Sequence, residues 1–266
     1  MNRSRLLAGA GILSTILALA MLPGFAKSLA VNATTSTGTV SPATPMLQPR
    51  SGHTATLLPD GRVLIAGGMY RNQDFYRSAE LYDPHTGKFG PAGEMKQARV
   101  GHAAVLLKSG KVLVVGGWSG HQCTKSAELY DPATRTFRSI AEMNVRRGQP
   151  AATLLENGDV LITGGTESDT PGGVTSAELP HADTLAFEPL PSMHSARISH
   201  TATLLNDGRV LIAGGRGESV TATAEIYDPN TKHFLETGNL NVARYKHTAG
   251  LLSDGRVLIA GGSNQR

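Results

Sequence analysis

The stretch that decides the fold runs from His53 to Gly68 and reads HTATLLPDGRVLIAGG. Two short runs of β-forming and apolar residues flank the pair Asp60-Gly61, and this pattern predicts a β-hairpin. We expect a type I′ turn at that pair, because its positive φ values match the twist of two antiparallel strands. The second run, Val63–Ala66, is continuously apolar, which is typical of a strand covered on both faces.

This stretch returns at intervals of 49, 48, 50 and 47 residues, measured between the double glycines that end it. The glycine pairs begin at Gly67, Gly116, Gly164, Gly214 and Gly261. A second hairpin follows in the first four units, and its turn is Tyr-Asp-Pro in all of them except the third, which has Pro180-His181-Ala182. A period of this length indicates a repeat architecture, and four antiparallel strands per unit predict an all-β propeller.

The units resemble kelch repeats. The resemblance rests on the double glycine, a later tyrosine and an aromatic residue seven positions further on, as in Tyr82 to Phe89, Tyr130 to Phe137 and Tyr227 to Phe234. Phenylalanine stands where kelch repeats usually have tryptophan. Over residues 37–266, the resemblance implies a kelch-type β-propeller of about five four-stranded blades, the last composite or incomplete. The repeats would span residues 50–98, 99–146, 147–196 and 197–243, with a partial unit at 244–266.

The N-terminus predicts export. Arg3 and Arg5 precede an apolar run from Leu6 to Leu22, and small residues before Val31 offer a cleavage site, so residues 1–30 are interpreted as a signal peptide. The expected location is secreted or periplasmic. The alternative is an uncleaved anchor, since this 17-residue run, which is interrupted by Ser14 and Thr15, approaches the roughly 20 residues that span a bilayer. A membrane is an expected partner only in that case.

Residues 31–49 form a segment rich in Thr, Ser and Pro. Residues 37–46 align without a gap to residues 86–95, at the end of the first unit, which favours their use as an outer strand that closes the ring beside the fifth unit. The alternatives are a linker and an open fragment of a longer propeller.

Charge argues against nucleic acid as a partner. The net charge is +4, but Arg3, Arg5 and Lys27 lie in the first thirty residues without any acid, so the remainder is close to neutral. A nucleic-acid binder requires a concentrated basic surface.

Residues that recur in every unit are interpreted as scaffold. An arginine stands three positions before the start of each hairpin (Arg50, Arg99, Arg147, Arg197, Arg244), followed by His53, His102, Pro150, His200 and His247. We expect the histidines to form hydrogen bonds between blades rather than a metal site. Glu80, Glu128, Glu178 and Glu225 are expected to pair with the arginines, because a buried carboxylate needs a partner.

Function is expected where the units differ. In a four-stranded meander, the loops between the second and third strands share one face with the connections between units, and such loops usually form the binding surface of repeat proteins. Aromatic and arginine side chains there suit recognition of a protein or a sugar. The predicted binding residues are Tyr70, Arg71, Phe75, Tyr76, Trp118, His121, Arg146, Arg216 and Tyr245. No catalytic residue, metal ligand or cofactor is predicted.

The favoured function is a non-catalytic binding or interaction module for an extracytoplasmic protein or a surface glycan. The alternative implied by the kelch resemblance is a periplasmic sugar-active enzyme. One form is a sialic-acid-type epimerase, whose acidic sugar would suit an arginine-lined mouth. The other is a copper oxidase, for which Cys123 would be tested against Tyr245 and His247.

Overall fold

The chain is built almost entirely from short antiparallel strands. The structure is a computed structural model that describes residues 43–71, 74–168 and 172–265, so the predicted signal peptide lies outside the described residues. Within those ranges, no helix has the length and apolar character needed to cross a membrane. Among the described residues, four sheets have four strands each and three have two, and two of these smaller sheets are ribbons within loops. The all-β propeller prediction is confirmed.

The blades follow the repeats of the sequence, and their strands are numbered in chain order. Blade 1 contains β1 (Thr54–Leu57), β2 (Val63–Ala66), the loop strands β3 (Met69–Tyr70) and β4 (Asp74–Phe75), then β5 (Ser78–Asp83) and β6 (Lys88–Glu94). Blade 2 contains β7 (Ala103–Leu106), β8 (Val112–Val115), the loop strands β9 (Trp118–Ser119) and β10 (Gln122–Cys123), then β11 (Ala127–Asp131) and β12 (Thr136–Ser139). Blade 3 contains β13 (Ala151–Leu154), β14 (Val160–Thr163), β15 (Ala177–Pro180) and β16 (Phe187–Leu190). Blade 4 contains β17 (Thr201–Leu204), β18 (Val210–Ala213), β19 (Ala224–Asp228) and β20 (His233–Thr237). Blade 5 contains β21 (Tyr245–Leu251) and β22 (Val257–Ser263).

The strands of a four-stranded blade lie side by side in chain order, and we name them a, b, c and d. The a strands contact one another from blade to blade in the order β1, β7, β13, β17 and β21, so they are the innermost strands. Within the described residues, no comparable contact joins β21 back to β1. The described blades therefore form an open arc.

The prediction of a type I′ turn between strands a and b is wrong. In blade 1, the N–H of Gly61 donates to the carbonyl of Leu58 at 3.0 Å, and the N–H of Leu58 donates to the carbonyl of Arg62 at 2.8 Å. Gly61 has a φ of 86°, whereas Asp60 is not among the residues with positive φ. This is a type I turn followed by a left-handed glycine that forms a bulge. The loop is one residue longer than a type I′ hairpin, so only the glycine needs a positive φ.

Apolar side chains between neighbouring blades form the core. Leu64 on strand b of blade 1 packs in one cluster with Val112, Tyr130 and Phe137 of blade 2. The rings of Tyr130 and Phe137 lie 4.7 Å apart between centroids, which explains the seven-residue spacing of the aromatic pair. The corresponding residues of blades 3 and 4 form an equivalent cluster. Strand b is apolar on both faces because each face meets a different neighbouring blade.

The free face of blade 5 shows what this packing contributes. Residues 60–68 and 254–262 have the same sequence, DGRVLIAGG. Leu64 is 1% exposed in blade 1, whereas the matching Leu258 is 57% exposed in blade 5. The difference arises from the surroundings, because Leu64 packs against blade 2 and lies beside Leu81 of strand c, and Leu258 has neither neighbour within the described residues.

The N-terminal segment contacts blade 1. The backbone N–H groups of Leu47 and Gln48 donate to the carboxylate of Glu80, at 2.7 and 3.1 Å. Residues 43–46 form no strand, and residues 37–42 of the predicted ring-closing strand lie outside the described residues. Ring closure by residues 37–46 thus stays a prediction.

The identical sequences allow a matched test of interblade packing. We expect Leu64→Ala to lower the free energy of unfolding by about 2–5 kcal/mol, because it removes a buried side chain and leaves a cavity. Leu258→Ala should change it by less than about 0.5 kcal/mol, because that side chain is largely exposed. Urea denaturation of both variants measures the difference. Equal destabilisation would show that the face of blade 5 is covered in solution.

Candidate binding face

The loops between strands b and c meet the connections between blades at one end of the molecule. Each contact is an antiparallel bridge between a residue that follows a double glycine and one that follows a repeated arginine: Met69 with Ser51, Trp118 with Val100, Thr166 with Gly148, and Arg216 with Ile198. Tyr245 and Ser263 make the same pairing in blade 5. We call this end the loop face, meaning the described parts of the b–c loops at residues 69–71, 74–77, 118–125, 166–168, 172–175 and 216–222 together with these bridged connections.

A chain of backbone hydrogen bonds runs across the blades on the loop face. Its members stand two positions after each repeated arginine: Gly52, Gly101, Gln149, Ser199 and Lys246, which we call the mouth arc. The N–H of each residue donates to the carbonyl of the one before, at 2.9, 2.8, 3.4 and 2.9 Å along the arc. All five have left-handed backbones, with φ between 51° and 65°.

The left-handed backbone is ordinary for Gly52 and Gly101 but costs energy at the other three positions. A residue with a Cβ atom in this conformation carries of order 1–2 kcal/mol of strain, and such residues cluster at functional sites. The sequence analysis missed Gln149, Ser199 and Lys246. Their offset of two residues from the repeated arginines was the available signal.

Trp118 rests directly on the backbone of blades 2 and 3. A Cβ atom added to Gly148 would lie 2.6–2.8 Å from three ring atoms of Trp118, and one added to Gly101 would lie 2.8 Å from the same ring. Both glycines are therefore required by the tryptophan. The indole is half-buried and fixed in position, so its remaining surface is a rigid part of the loop face.

The predicted binding residues of blade 1 divide into two groups. The guanidinium of Arg71, which is exposed, lies 4.9 Å from the ring centroid of Tyr70, and Phe75 pairs with Met69 across the loop ribbon. Tyr76 instead lies 5.2 Å beneath the guanidinium of the buried Arg50. Tyr76 thus supports the scaffold, whereas the other predicted residues lie in the loop ribbon.

The remaining predicted residues occupy two places. Arg146 is exposed and donates to the carbonyl of Cys123 at 3.1 Å, which ties it to the blade 2 loop that also carries His121. In blades 4 and 5, the guanidinium of Arg216 lies 6.0 Å from the ring centroid of Tyr245, and the ammonium of Lys246 lies 5.6 Å from it. Two cations therefore flank one aromatic ring.

The repeated arginines and glutamates are scaffold, as predicted. Arg99 donates to Glu128 at 2.9 Å, and both side chains are at most 1% exposed. The same pair forms in blades 1, 3 and 4, between Arg50 and Glu80, Arg147 and Glu178, and Arg197 and Glu225.

Three of the repeated histidines bond to threonines of the preceding blade. His102 Nε2 lies 2.9 Å from Thr54 Oγ1, His200 Nε2 lies 2.8 Å from Thr163 Oγ1, and His247 Nε2 lies 3.0 Å from Thr201 Oγ1. These bonds confirm the predicted role between blades. Burial, reinforced by the positive charge of the nearby arginine, lowers the pKa of His102 and of His200 to about 3.

The residues present do not fit a copper centre of the oxidase type. Cys123 lies on β10 in blade 2, whereas Tyr245 and His247 lie on β21 in blade 5. In the described ranges, no three His, Cys, Asp or Glu side chains gather closely enough to hold a metal ion.

The close contact between the Trp118 ring and Gly148 can be tested by substitution. Gly148→Ala should destabilise the protein by about 1–3 kcal/mol, because the added methyl group overlaps the indole. In a Trp118→Ala background, the same change should cost less than about 0.5 kcal/mol. Gly90→Ala is the matched control, because nothing lies within 4 Å of its added Cβ. Fluorescence of the single tryptophan should shift in Gly148→Ala alone; an unchanged spectrum and stability would contradict the placement.

The histidines predict a pH-dependent stability. His102 has a pKa of about 3 when folded against an ordinary value of 6.5, so between these values only the unfolded chain binds the proton. Stability is therefore complete above pH 6.5 and falls as pH drops, with a slope approaching 1.4 kcal/mol per pH unit for each such histidine.

Urea denaturation between about pH 6 and pH 5 measures this slope before most carboxylates titrate. His102→Gln should reduce the slope, whatever its effect on the stability at pH 7. His121→Gln, a change at an exposed histidine, should leave it unaltered. A slope that is the same in both variants would show that His102 takes up a proton without unfolding.

Comparison with known proteins agrees with this architecture. The family model described as Kelch motif matches residues 98–144. No curated protein shows a significant match to the chain. The solved structure titled "Structure of YjhT" superimposes with a TM-score of 0.70 at 15% identity, covering 81% of this chain and 78% of that one.

A second similar structure is a fungal alcohol oxidase of the AA5 family in complex with copper. Its TM-score is 0.53 at 18% identity, and the match covers 79% of this chain and 58% of the oxidase. At such identities, both likenesses concern the fold. The matched motif shows a kelch motif at residues 98–144, and the shared fold shows a kelch-type β-propeller.

Proposed function

We propose that this propeller is a non-catalytic binding module that uses its loop face to hold an acidic region of an extracytoplasmic protein or glycan. The observation that carries the proposal is the cluster in which Arg216 and Lys246 flank the ring of Tyr245. Arginine and aromatic side chains dominate binding energy at interfaces, and a guanidinium can bind a carboxylate through two parallel hydrogen bonds. Trp118 and the Arg71–Tyr70 pair extend the same chemistry to blades 1 and 2.

The rigidity of the loop face supports a recognition role. The cluster is anchored by the mouth arc, whose backbone bonds fix Lys246 relative to Ser199. A surface that is already ordered loses little conformational entropy when a partner binds. The strain at the mouth arc is consistent with side chains that are held in place for binding.

The mouth arc favours binding over catalysis. An enzyme needs two or more titratable groups from different blades around one reacting centre. Among the five residues of the mouth arc, Lys246 is the one with a titratable side chain. The epimerase alternative would need further groups from the b–c loops.

Export is part of the proposal. The basic and apolar pattern of residues 1–30 supports a signal peptide and therefore a secreted or periplasmic protein. The near-neutral remainder of the chain gives no support for nucleic acid as a partner.

The experiment measures binding of the purified protein to an acidic polysaccharide, alginate, and an acidic peptide, poly-glutamate, with neutral dextran as the reference. We expect binding to at least one acidic probe and a loss of about tenfold or more in Arg216→Ala/Tyr245→Ala, since each lost charge-assisted contact is worth about 1.5–3 kcal/mol. Arg209→Ala is the matched control, because Arg209 is bonded to Asp207 in an a–b turn at the opposite end of blade 4. Equal binding to dextran, or unchanged binding by the double variant, would refute the proposal.

A further inference from the structure

We propose that a groove between blades 1 and 2 is a binding site for the carboxylate of a small hydroxy acid. The groove lies at the end of the molecule opposite to the loop face and holds a cavity of about 210 Å³. Its charged lining consists of Arg62, Asp83 and Lys88 of blade 1 and Arg135 of blade 2, and we call it the basic groove. The site is separate from the loop face and does not depend on the proposed function.

The groove between blades 3 and 4 shows how this geometry holds a carboxylate. Glu188 on β16 stands opposite Leu179, and its two carboxylate oxygens accept from the ammonium of Lys232 at 2.7 and 2.8 Å. Lys232 lies in the turn between strands c and d of blade 4. A cation from one blade therefore binds an acid on strand d of the blade before it.

The basic groove has the matching cation without the acid. Gly90 on β6 stands opposite Leu81 and so takes the position of Glu188. Arg135 holds the position of Lys232 in the corresponding turn of blade 2, with a φ of 54° against 58°. A Cβ atom added to Gly90 would meet nothing within 4 Å, so the space that a carboxylate side chain would enter is open. Within the described residues, the guanidinium of Arg135 makes no hydrogen bond or ion pair.

A second arginine adds positive charge to the groove. Arg62 is bonded to Asp60 at 2.8 Å, which fixes the position of its guanidinium. Burial raises the pKa of Tyr130, whereas the positive charges of Arg62 and Arg135 lower it, so both guanidiniums lie near one hydroxyl group. In blade 3, Asp159 stands in the place of Arg62, immediately before strand b. Blade 1 thus has a positive charge where blade 3 has a negative one.

The size and chemistry of the cavity indicate the class of ligand. Its volume of about 210 Å³ is smaller than the roughly 300–1,000 Å³ of pockets that enclose drug-sized molecules, so the groove suits a compact acid. A guanidinium binds a carboxylate through two parallel hydrogen bonds, which assigns the carboxylate to Arg135. The carboxylate of Asp83 can accept a hydrogen bond from a hydroxyl group of the same ligand. A small hydroxy acid meets both requirements.

Nuclear magnetic resonance of the ¹⁵N-labelled protein measures the binding. D-glucuronate and L-malate test a sugar acid and an open-chain acid, and D-glucose is the neutral reference because it has a hydroxymethyl group in place of the carboxylate. We expect saturable shifts of the Gly90 and Arg135 amide signals with at least one acid and none with glucose. Absence of these shifts with both acids, or equal shifts with glucose, would overturn the proposal.

Two arginine variants locate the binding. Arg135→Gln should weaken it about tenfold or more, because a charge-assisted contact is lost. Arg138→Gln is the matched control, since Arg138 is an exposed residue of the same blade that does not line the cavity. The loop-face variant Arg216→Ala/Tyr245→Ala should show the same shifts as the unaltered protein, so that either proposal can fail without the other. Equal binding by Arg135→Gln and Arg138→Gln would refute the assignment.

A third variant tests the groove without any ligand. Gly90→Glu supplies the carboxylate from the chain itself, so it should abolish acid binding and melt at a higher temperature than Gly90→Gln, which has the same size without the charge. In an Arg135→Gln background, the Glu and Gln variants should melt at the same temperature, because the ion pair cannot form. Equal melting temperatures in the unaltered background would show that Arg135 does not hold a carboxylate in this groove, and would also overturn the proposal.

Discussion

The fold depends on a buried ion pair that joins three backbone segments: the crossover from the preceding blade, the end of strand b and strand c. In blade 4, Glu225 receives the guanidinium of Arg197 and the N–H groups of His194 and Ser195, so one carboxylate connects strand c to the crossover from the preceding blade. Burial alone would raise the pKa of Glu225, but the bonds from Arg197 and His194 lower it below its ordinary value. A buried pair is tolerated only when its hydrogen bonds are satisfied, and removal of one member leaves an uncompensated charge. The repeat therefore keeps all the partners together, and this fixes where each blade begins.

The same arginine also sets the geometry of the loop face. The bridged residue follows it by one position and the mouth-arc residue by two, so in blades 1 to 4 both are placed next to a buried side chain. Variable side chains such as Trp118 and Arg216 are then held by an invariant frame. This explains how loops of different length and composition form one continuous surface. It also explains why Ser199 keeps its strained left-handed backbone. Arg197 and the hydrogen bonds along the mouth arc hold the backbone on both sides of Ser199 in this conformation.

The sequence predicted the fold well because each blade is encoded locally. Turn residues, apolar runs and the aromatic pair recur at intervals of 47 to 50 residues. The recurrent Arg and Glu identified their own pairing. The turn type was predicted wrongly because Asp60-Gly61 fits two hairpin geometries, which differ by one residue of loop length. Two features of the loop face depend on contacts across the sequence and could not be read from the residues alone. Tyr76 looked like a binding aromatic but lies beneath Arg50, and the dependence of Trp118 on Gly148 spans two blades.

Blade 5, which has two strands within the described residues, shows why local sequence does not determine which surfaces become interfaces. One nonapeptide forms the strand b region of blades 1, 4 and 5, yet its central leucine is 1% exposed in blade 1 and 57% exposed in blade 5. The residues are suited to burial in every case, so the exposed copy has the apolar face of an interface without a neighbour that covers it. A strand edge of this kind invites pairing with another chain unless charges, bulges or covering segments prevent it.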